Sequence, residues 1–191
     1  TTMGEISCIS KDGNKLLGHA KDPISSDLAL KRILPEDHWK ENGGEVLCLG
    51  AGGAAIAILY NLNKQKQNKN QPSKIFVTDI MKSRLESIKQ IYRKFDTNIP
   101  IELHQCSEPK SNDKLTPNLK THSLIINATG MGKDKPGSPF TWDFQYPQNS
   151  IIWELNYRGE LIFLDQAEAQ RNNKNLTIHD GWVYFIHGWF E

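Results

Sequence analysis

The 191-residue sequence predicts an α/β domain built on a doubly wound parallel sheet. Three observations carry that expectation. From Glu45 onward, short apolar runs suited to strands alternate with longer segments of helical periodicity. The run Glu45-Val46-Leu47-Cys48-Leu49 is apolar at successive positions, as a strand covered by helices on both faces must be. Length sets the scale: the chain suits one domain with an appendage and leaves no room for two large ones.

The elements follow in order. Ile6, Cys8 and Ile9 precede Asp12-Gly13-Asn14, and Leu16 and Leu17 follow, which reads as a hairpin around a tight turn. Pro23 suits the first turn of a helix over residues 24–34, with Ile24, Leu28 and Leu34 on its apolar face and Pro35 as its stop. Glu41-Asn42-Gly43-Gly44 is a loop, and the strand over 45–49 ends at Gly50. Residues 54–62, rich in Ala, Ile and Leu, form a helix that dissolves in the polar run 64–70, a solvated end and loop. Residues 74–78 are the next strand. Met81, Leu85, Ile88, Tyr92 and Phe95 then recur at helical spacing as one apolar stripe. Residues 99–103 and 123–128 are further strands, and the polar, proline-containing segment 106–120 between them holds at most a short helix. A strand over 150–155, a helix over 161–170, a short strand over 176–178 and an apolar helix over 182–190 close the chain.

Composition narrows the classes of function. Lys plus Arg number 23 and Asp plus Glu 22, so no basic excess suggests a nucleic-acid partner. The longest weakly polar stretch, 46–60, is broken by glycines and is shorter than the roughly 20 apolar residues of a membrane span. The first residues lack the marks of a signal peptide. Three cysteines without CxxC spacing disfavour a disulfide framework or a zinc site, which points to a reducing, cytoplasmic setting. The opening Thr1-Thr2 and the end at Phe190-Glu191 read as edges of a longer protein. His19, His38, His104, His122 and His179 show no metal-ligand spacing and read as surface or loop residues, and no metal is expected. Trp182, Tyr184, Phe185, Trp189 and Phe190 read as core or subunit interface, which keeps a homodimer open.

Three motifs carry chemistry. Gly50-Ala51-Gly52-Gly53-Ala54-Ala55 joins a buried strand to a helix and satisfies the G-x-G-x-x-G/A pattern of Rossmann-type dinucleotide folds. Gly50 permits the tight turn, Gly52 lets backbone approach a pyrophosphate, and Ala55 lets helix and strand pack closely. The plain alternative is a strand-to-helix turn without a ligand. Asp79, at the end of the next strand, can accept hydrogen bonds from the adenosine ribose and would repel a 2′-phosphate. That favours NAD, with Lys82 and Arg84 near enough to keep NADP open; Asp79 equally suits a helix cap. Asn127-Ala128-Thr129-Gly130-Met131-Gly132 follows a strand at the carboxyl edge where ligands bind in open α/β sheets, although alone it reads as a glycine turn.

These motifs in this order, with the hairpin before them, resemble the shikimate and quinate dehydrogenase family over nearly the whole chain. Gly4-Glu5-Ile6-Ser7-Cys8 is similar to the family's Gly-Ala-Val-Asn-Thr strand, and Gly18 through Pro23 to its Gly-Tyr-Asn-Thr-Asp-Gly. Gly50 to Ala54 matches its Gly-Ala-Gly-Gly-Ala fingerprint and Asn127 to Met131 its Asn-Ala-Thr-Gly-Met, the most specific match. Leu155-Asn156-Tyr157 resembles the strand end beside nicotinamide and substrate, and Gly181 with Phe185 the Gly-x-x-Met-Leu segment of the last helix. The resemblance implies a hydride-transferring oxidoreductase of aromatic amino acid biosynthesis acting on a small cyclic polyol acid.

By that resemblance Asp22 holds the substrate hydroxyl, partnered by a lysine in an N-terminal substrate domain that this chain is expected to lack; a helix cap is the plain alternative for Asp22. Gly50, Ala51, Gly52, Gly53, Ala54, Asp79, Asn127, Ala128, Thr129, Gly130, Met131, Leu155 and Gly181 fall to the cofactor. Ser7, Tyr157 and His187 fall to the substrate. Ser7 and Ala20 stand where the family has asparagines, Pro23 where it has glycine, and Gly188 or His187 where it has a glutamine, so the departures lie on the substrate side. Residues 1–22 are expected to belong to or lead from the substrate domain, and 23–191 to form the dinucleotide-binding domain. Two rival readings are a non-catalytic dinucleotide module and, against the Asn127 motif and Tyr157, an S-adenosylmethionine methyltransferase.

Overall fold

A computed structural model describes residues 6–64, 70–115 and 119–190 of the chain. Strands β1 (Cys8–Asp12) and β2 (Lys15–His19) form the expected hairpin as a separate antiparallel pair, turning at Gly13 with φ of +57°. Helices α1 (Asp22–Ile33) and α2 (His38–Asn42) lead to β3 (Val46–Leu49), the Gly-rich turn and α3 (Gly53–Lys64). Then come β4 (Ile75–Asp79), α4 (Lys82–Tyr92), β5 (Ile101–Gln105), α5 (Pro109–Asp113) and β6 (Leu124–Asn127). The chain continues through β7 (Ile151–Glu154), α6 (Ile162–Glu168), α7 (Arg171–Lys174), β8 (Thr177–His179) and α8 (Trp182–Phe190). The polar run read as a loop at 64–70 lies largely outside the described residues.

The six strands β3 to β8 are all parallel, in the order β5-β4-β3-β6-β7-β8. The chain leaves β3 toward β4 and β5, then returns to place β6 on the other side. The carboxyl ends of β3 and β6 therefore flank the topological switch point, where doubly wound sheets open a crevice. Alternation along β3 builds both halves of the core. Val46 and Cys48 pack with Leu30, Ile58 and Ile88 on one face, while Leu47 and Leu49 pack with Phe76, Ile125 and Phe163 on the other. The continuous apolar run is thus required by two buried faces.

Some expectations need correction. His38 is buried rather than superficial, because its Nε2 meets the carbonyl oxygen of His122 at 2.9 Å and α2 closes over it. The helix expected over 161–170 is the shorter α6, which ends at Glu168, and a separate one-turn α7 follows beyond that span. Of the α8 aromatics, Trp182, Trp189 and Phe190 are exposed, with Trp189 77 % accessible, and are not core, whereas Tyr184 is half-buried and packs edge-on against Trp153 of the core. Among the described residues no helix is long and apolar enough to cross a membrane.

Candidate functional site

At the end of β3 the backbone of Gly50 adopts φ of +100°. A Cβ there would stand 2.7 Å from the carbonyl oxygen of Ala128, so glycine is required by both conformation and close approach. Gly52 differs. A Cβ on it would meet nothing within 4 Å, which leaves open space before the first turn of α3. The N–H groups of that turn lack intrahelical acceptors and carry the positive end of the helix dipole. Gly52, Gly53 and Ala54 are half-buried, while Ala55 is packed fully against the sheet. Open space before unpaired N–H groups suits the phosphates of a dinucleotide.

Asp79 ties this turn to the end of β4. Its Oδ2 accepts the Ala51 N–H at 2.9 Å and its Oδ1 the Met81 N–H at 2.8 Å. The helix-cap alternative is thus half right: the carboxylate closes the turn leading into α4, whose own N-cap is Met81. The Arg84 guanidinium, 57 % exposed, lies 3.9 Å from Oδ2. An expected preference for NAD rests on a carboxylate standing free. Here two backbone donors hold it and a cation faces it.

The turn after β6 is fastened by a buried polar network. Asn127 Nδ2 donates to Glu154 Oε2 at 2.6 Å, and its Oδ1 accepts from the Thr129 N–H and hydroxyl at 3.1 and 2.6 Å. Glu154 Oε1 accepts the Asn156 N–H at 2.7 Å, and Asn156 Nδ2 donates to the carbonyls of Thr129 and Met131, both at 3.1 Å. Sequence reasoning places Asn156 only within the Leu155-Asn156-Tyr157 strand end and misses Glu154, although a carboxylate closing the apolar run Ile151-Ile152-Trp153 is a signal.

Burial pushes the Glu154 carboxyl up to about 7, against hydrogen bonds from Asn156 and Asn127 that favour its charged form. The folded chain therefore holds a proton that the unfolded chain releases above its ordinary value of 4.5. This contribution is full below pH 4.5 and is lost as pH rises through about 7, a change of roughly 3 kcal/mol. His38 and His179 act in the opposite sense, because burial lowers both and favours the fold as pH rises through 6.5. Urea unfolding of the chain and of Glu154→Gln at pH 5 and pH 8 isolates the carboxyl. The native chain is expected to lose stability relative to the variant between the two; parallel pH dependences would refute the proton.

Gly50, Asp79, Ala128, Thr129, Gly130 and Met131 line one cavity of about 630 Å³ at the carboxyl edge of the sheet. Ala51, Gly52, Gly53, Ala54 and Asn127 belong to the adjoining turns but do not line it, and the substrate-side candidates gather elsewhere. Ser7 Oγ accepts the N–H groups of Lys21 and Asp22 at 3.2 and 3.4 Å, which sets Ser7 beside the first turn of α1. Lys21 is the N-cap of α1 and the Asp22 side chain does not cap it. Asn61 of α3 fixes that turn, donating to the Pro23 carbonyl at 2.6 Å and to Ser26 Oγ at 2.8 Å. On α8, a Cβ at Gly188, next to His187, would lie 3.9 Å from Ser25 Oγ of α1. Tyr157 stacks on Phe185 with ring centroids 3.9 Å apart. Gly181 permits α8 to start against the Leu155 carbonyl, which a Cβ would overlap. Asp22, Ser7, Leu155, Tyr157, Gly181 and His187 do not line the cavity. Among the described residues no group of three His, Cys, Asp or Glu side chains is placed to hold a metal.

No protein-family model matches the chain. It is 30 % identical over 193 aligned positions to a shikimate dehydrogenase (NADP(+)) of Bartonella henselae, covering 98 % of this chain and 58 % of that protein. It is 24 % identical over 169 positions to one of Lactococcus lactis subsp. cremoris, covering 88 % of this chain and 56 % of that protein. The chain thus spans just over half the length of these curated relatives. A crystal structure of shikimate dehydrogenase in complex with NADP+ shares the fold, with a TM-score of 0.63 at 18 % identity over 98 % of this chain and 59 % of that one. The Gly-rich turn, the Asn127 turn and relatives that align along nearly the whole chain agree: over nearly its whole length this chain is similar to the shikimate and quinate dehydrogenase family.

Proposed function

We propose that this chain is the cofactor-holding part of an oxidoreductase that moves hydride between a nicotinamide dinucleotide and a small cyclic polyol acid of the shikimate/quinate class. The observation that carries the reading is the open space at Gly52, before the unpaired N–H groups of α3 and beside the 630 Å³ cavity. When bound, the nicotinamide supplies the hydride chemistry. The N–H groups of the α3 turn hold the pyrophosphate, with Gly50, Ala51, Gly52, Gly53 and Ala54 as its cradle. Asp79 steadies the ribose side. Asn127, held by Glu154, fixes the turn Ala128–Met131 that gives the ring its wall, and Leu155 and Gly181 bring the β7 end to α8. Asp22 holds the substrate hydroxyl and exchanges its proton, with Ser7, Tyr157 and His187 about the substrate.

Residues 1–22 belong to or lead from a substrate domain, and 23–191 form the dinucleotide domain. The hairpin supports this, since among the described residues it joins no other strand and leaves Ile9 and Leu16 65 % and 74 % exposed, a pair too small to stand alone. Three free cysteines, two of them buried, suit a reducing cytoplasm, and the exposed aromatics of α8 suit burial against the substrate domain or a second copy.

The relatives named NADP(+)-dependent and the exposed Arg84 guanidinium support NADP as a cofactor beside NAD. Calorimetric titration should give NADP at least as tight as NAD at physiological salt. Arg84→Ala should weaken NADP about tenfold and NAD little, the scale of one charge-assisted contact. Tighter NAD, or an unchanged ratio in the variant, would return the preference to Asp79. Binding of S-adenosylmethionine instead of either would overturn the oxidoreductase reading.

A further inference from the structure

Asn127 and Glu154 stand in register at the carboxyl ends of β6 and β7, and neither exposes any surface. The bonds between them have a fixed sense. The Thr129 backbone N–H can only donate, so Asn127 must present Oδ1 to it and Nδ2 to Glu154 Oε2. The Asn156 backbone N–H likewise donates to Glu154 Oε1. Both carboxylate oxygens therefore act as acceptors, and the network is complete with Glu154 ionised. A proton on either oxygen competes with the donor already bonded there. Relief at Oε2 requires the Asn127 amide to turn over, which takes Oδ1 away from the Thr129 N–H and hydroxyl. That hydroxyl accepts the Met131 N–H at 3.2 Å, so the disturbance runs along the turn Ala128–Met131 that lines the cavity.

We propose that Glu154 is a proton-linked positioning residue: its ionised carboxylate holds the Ala128–Met131 turn in the form that takes the nicotinamide end of the cofactor, and a proton on it releases the turn and weakens binding. This rests on the dinucleotide reading above and adds to it a dependence on acidity. Two opposed effects bring the switch near neutrality. Burial disfavours the charge, the bonds from Asn156 and Asn127 favour it, and the carboxyl is left at about 7. The groups that bond to it are neutral. On its face of the sheet the Tyr146 phenol is the titratable neighbour, raised by burial and by the charge on Glu154, and so protonated at neutral pH. From α6 that face receives Phe163 and Ala167, while Glu160, Asp165 and Glu168 are exposed. His179 of β8 pairs with Trp153, on the other face. The charges of the adjoining loops, Lys133, Asp134 and Arg158, pair with one another.

The test is calorimetric titration of the 191-residue chain and of Glu154→Gln with NADP at pH 6 and pH 8. Glutamine keeps the volume and brings a donor, as the protonated acid does. The quantity read is the ratio of native to variant affinity, in which titration of the cofactor's phosphate and of the histidines cancels. The native chain is expected to bind about tenfold tighter than the variant at pH 8, the worth of one hydrogen bond of the turn, and within about twofold of it at pH 6. A purely structural role would weaken the variant by the same factor at both pH values, and that outcome overturns the proposal. Equal affinities at pH 8 also overturn it and leave the dinucleotide reading standing. If glutamine there leaves the chain unfolded, the native chain is titrated at pH 7 with NAD, which has no group titrating nearby, in two buffers of different ionisation enthalpy. Release of roughly 0.4 proton per NAD bound is expected, and release of none overturns the proposal. Binding of neither dinucleotide at either pH overturns the dinucleotide reading as well.

Discussion

Replacing Gly52 with valine is expected to abolish dinucleotide binding while the chain stays folded. The two halves of that result come from one observation: a Cβ at Gly52 meets no protein atom within 4 Å, so the isopropyl group enters only the space left for the ligand. Two charge-assisted hydrogen bonds to phosphate, at about 1.5–3 kcal/mol each, would be lost, which corresponds to an affinity drop of about 100-fold or more. Gly50→Ala is the contrasting control. Its φ of +100° and the nearby Ala128 carbonyl make that change a defect of folding as well. Calorimetry with NADP and circular dichroism on each variant separate the cases. Affinity within threefold of the native value in a folded Gly52→Val chain would make the turn structural only.

The second large effect concerns Asp22. This chain alone is expected to bind the dinucleotide yet form no NADPH or NADH from shikimate or quinate at an appreciable rate. By the family resemblance the lysine partner of Asp22 belongs to the substrate domain, while Ser7 and Asn61 engage the backbone of the Asp22 turn. Joined to its substrate domain, the chain should turn over polyol, and Asp22→Asn should lower that turnover about 10²- to 10⁴-fold with cofactor affinity unchanged. Loss of positioning in the isolated chain adds to the loss of the proton relay. Comparable turnover by the chain alone would place the whole acid/base pair within these residues. Asp22→Asn at native rate in the joined protein would remove Asp22 from the chemistry.

Cofactor and substrate candidates differ in how they can be read. The cofactor side is local: a turn, a helix start and a strand end, each contiguous in sequence, meet at one switch point because parallel strands put all their carboxyl ends on one edge. Gly50, Asp79 and the Asn127 turn therefore announce themselves. The network that holds them does not. Glu154 meets Asn127 across 27 positions, and Asn112 meets Pro139 across the same separation. Neither pairing has a local pattern. The short α2 escaped for a different reason: five residues are too few to show a helical period, and what fixes it is His38 bonded to a carbonyl 84 positions away.

The amino-acid sequence by itself determined the doubly wound sheet, its buried central strand, the hairpin and the Gly-rich turn, because burial on two faces and positive φ write directly into residue type. Tertiary structure decided what those residues face. It put Asp79 between two backbone donors and Arg84, held the carboxyl of Glu154 beneath the Asn127 turn, and divided the candidates into a cavity group and a group along α1 and α8. Charge and hydrogen bonding act through space within a few ångströms, whereas the sequence orders residues along the chain, so partners brought together by the sheet's crossovers become visible only once the chain is folded.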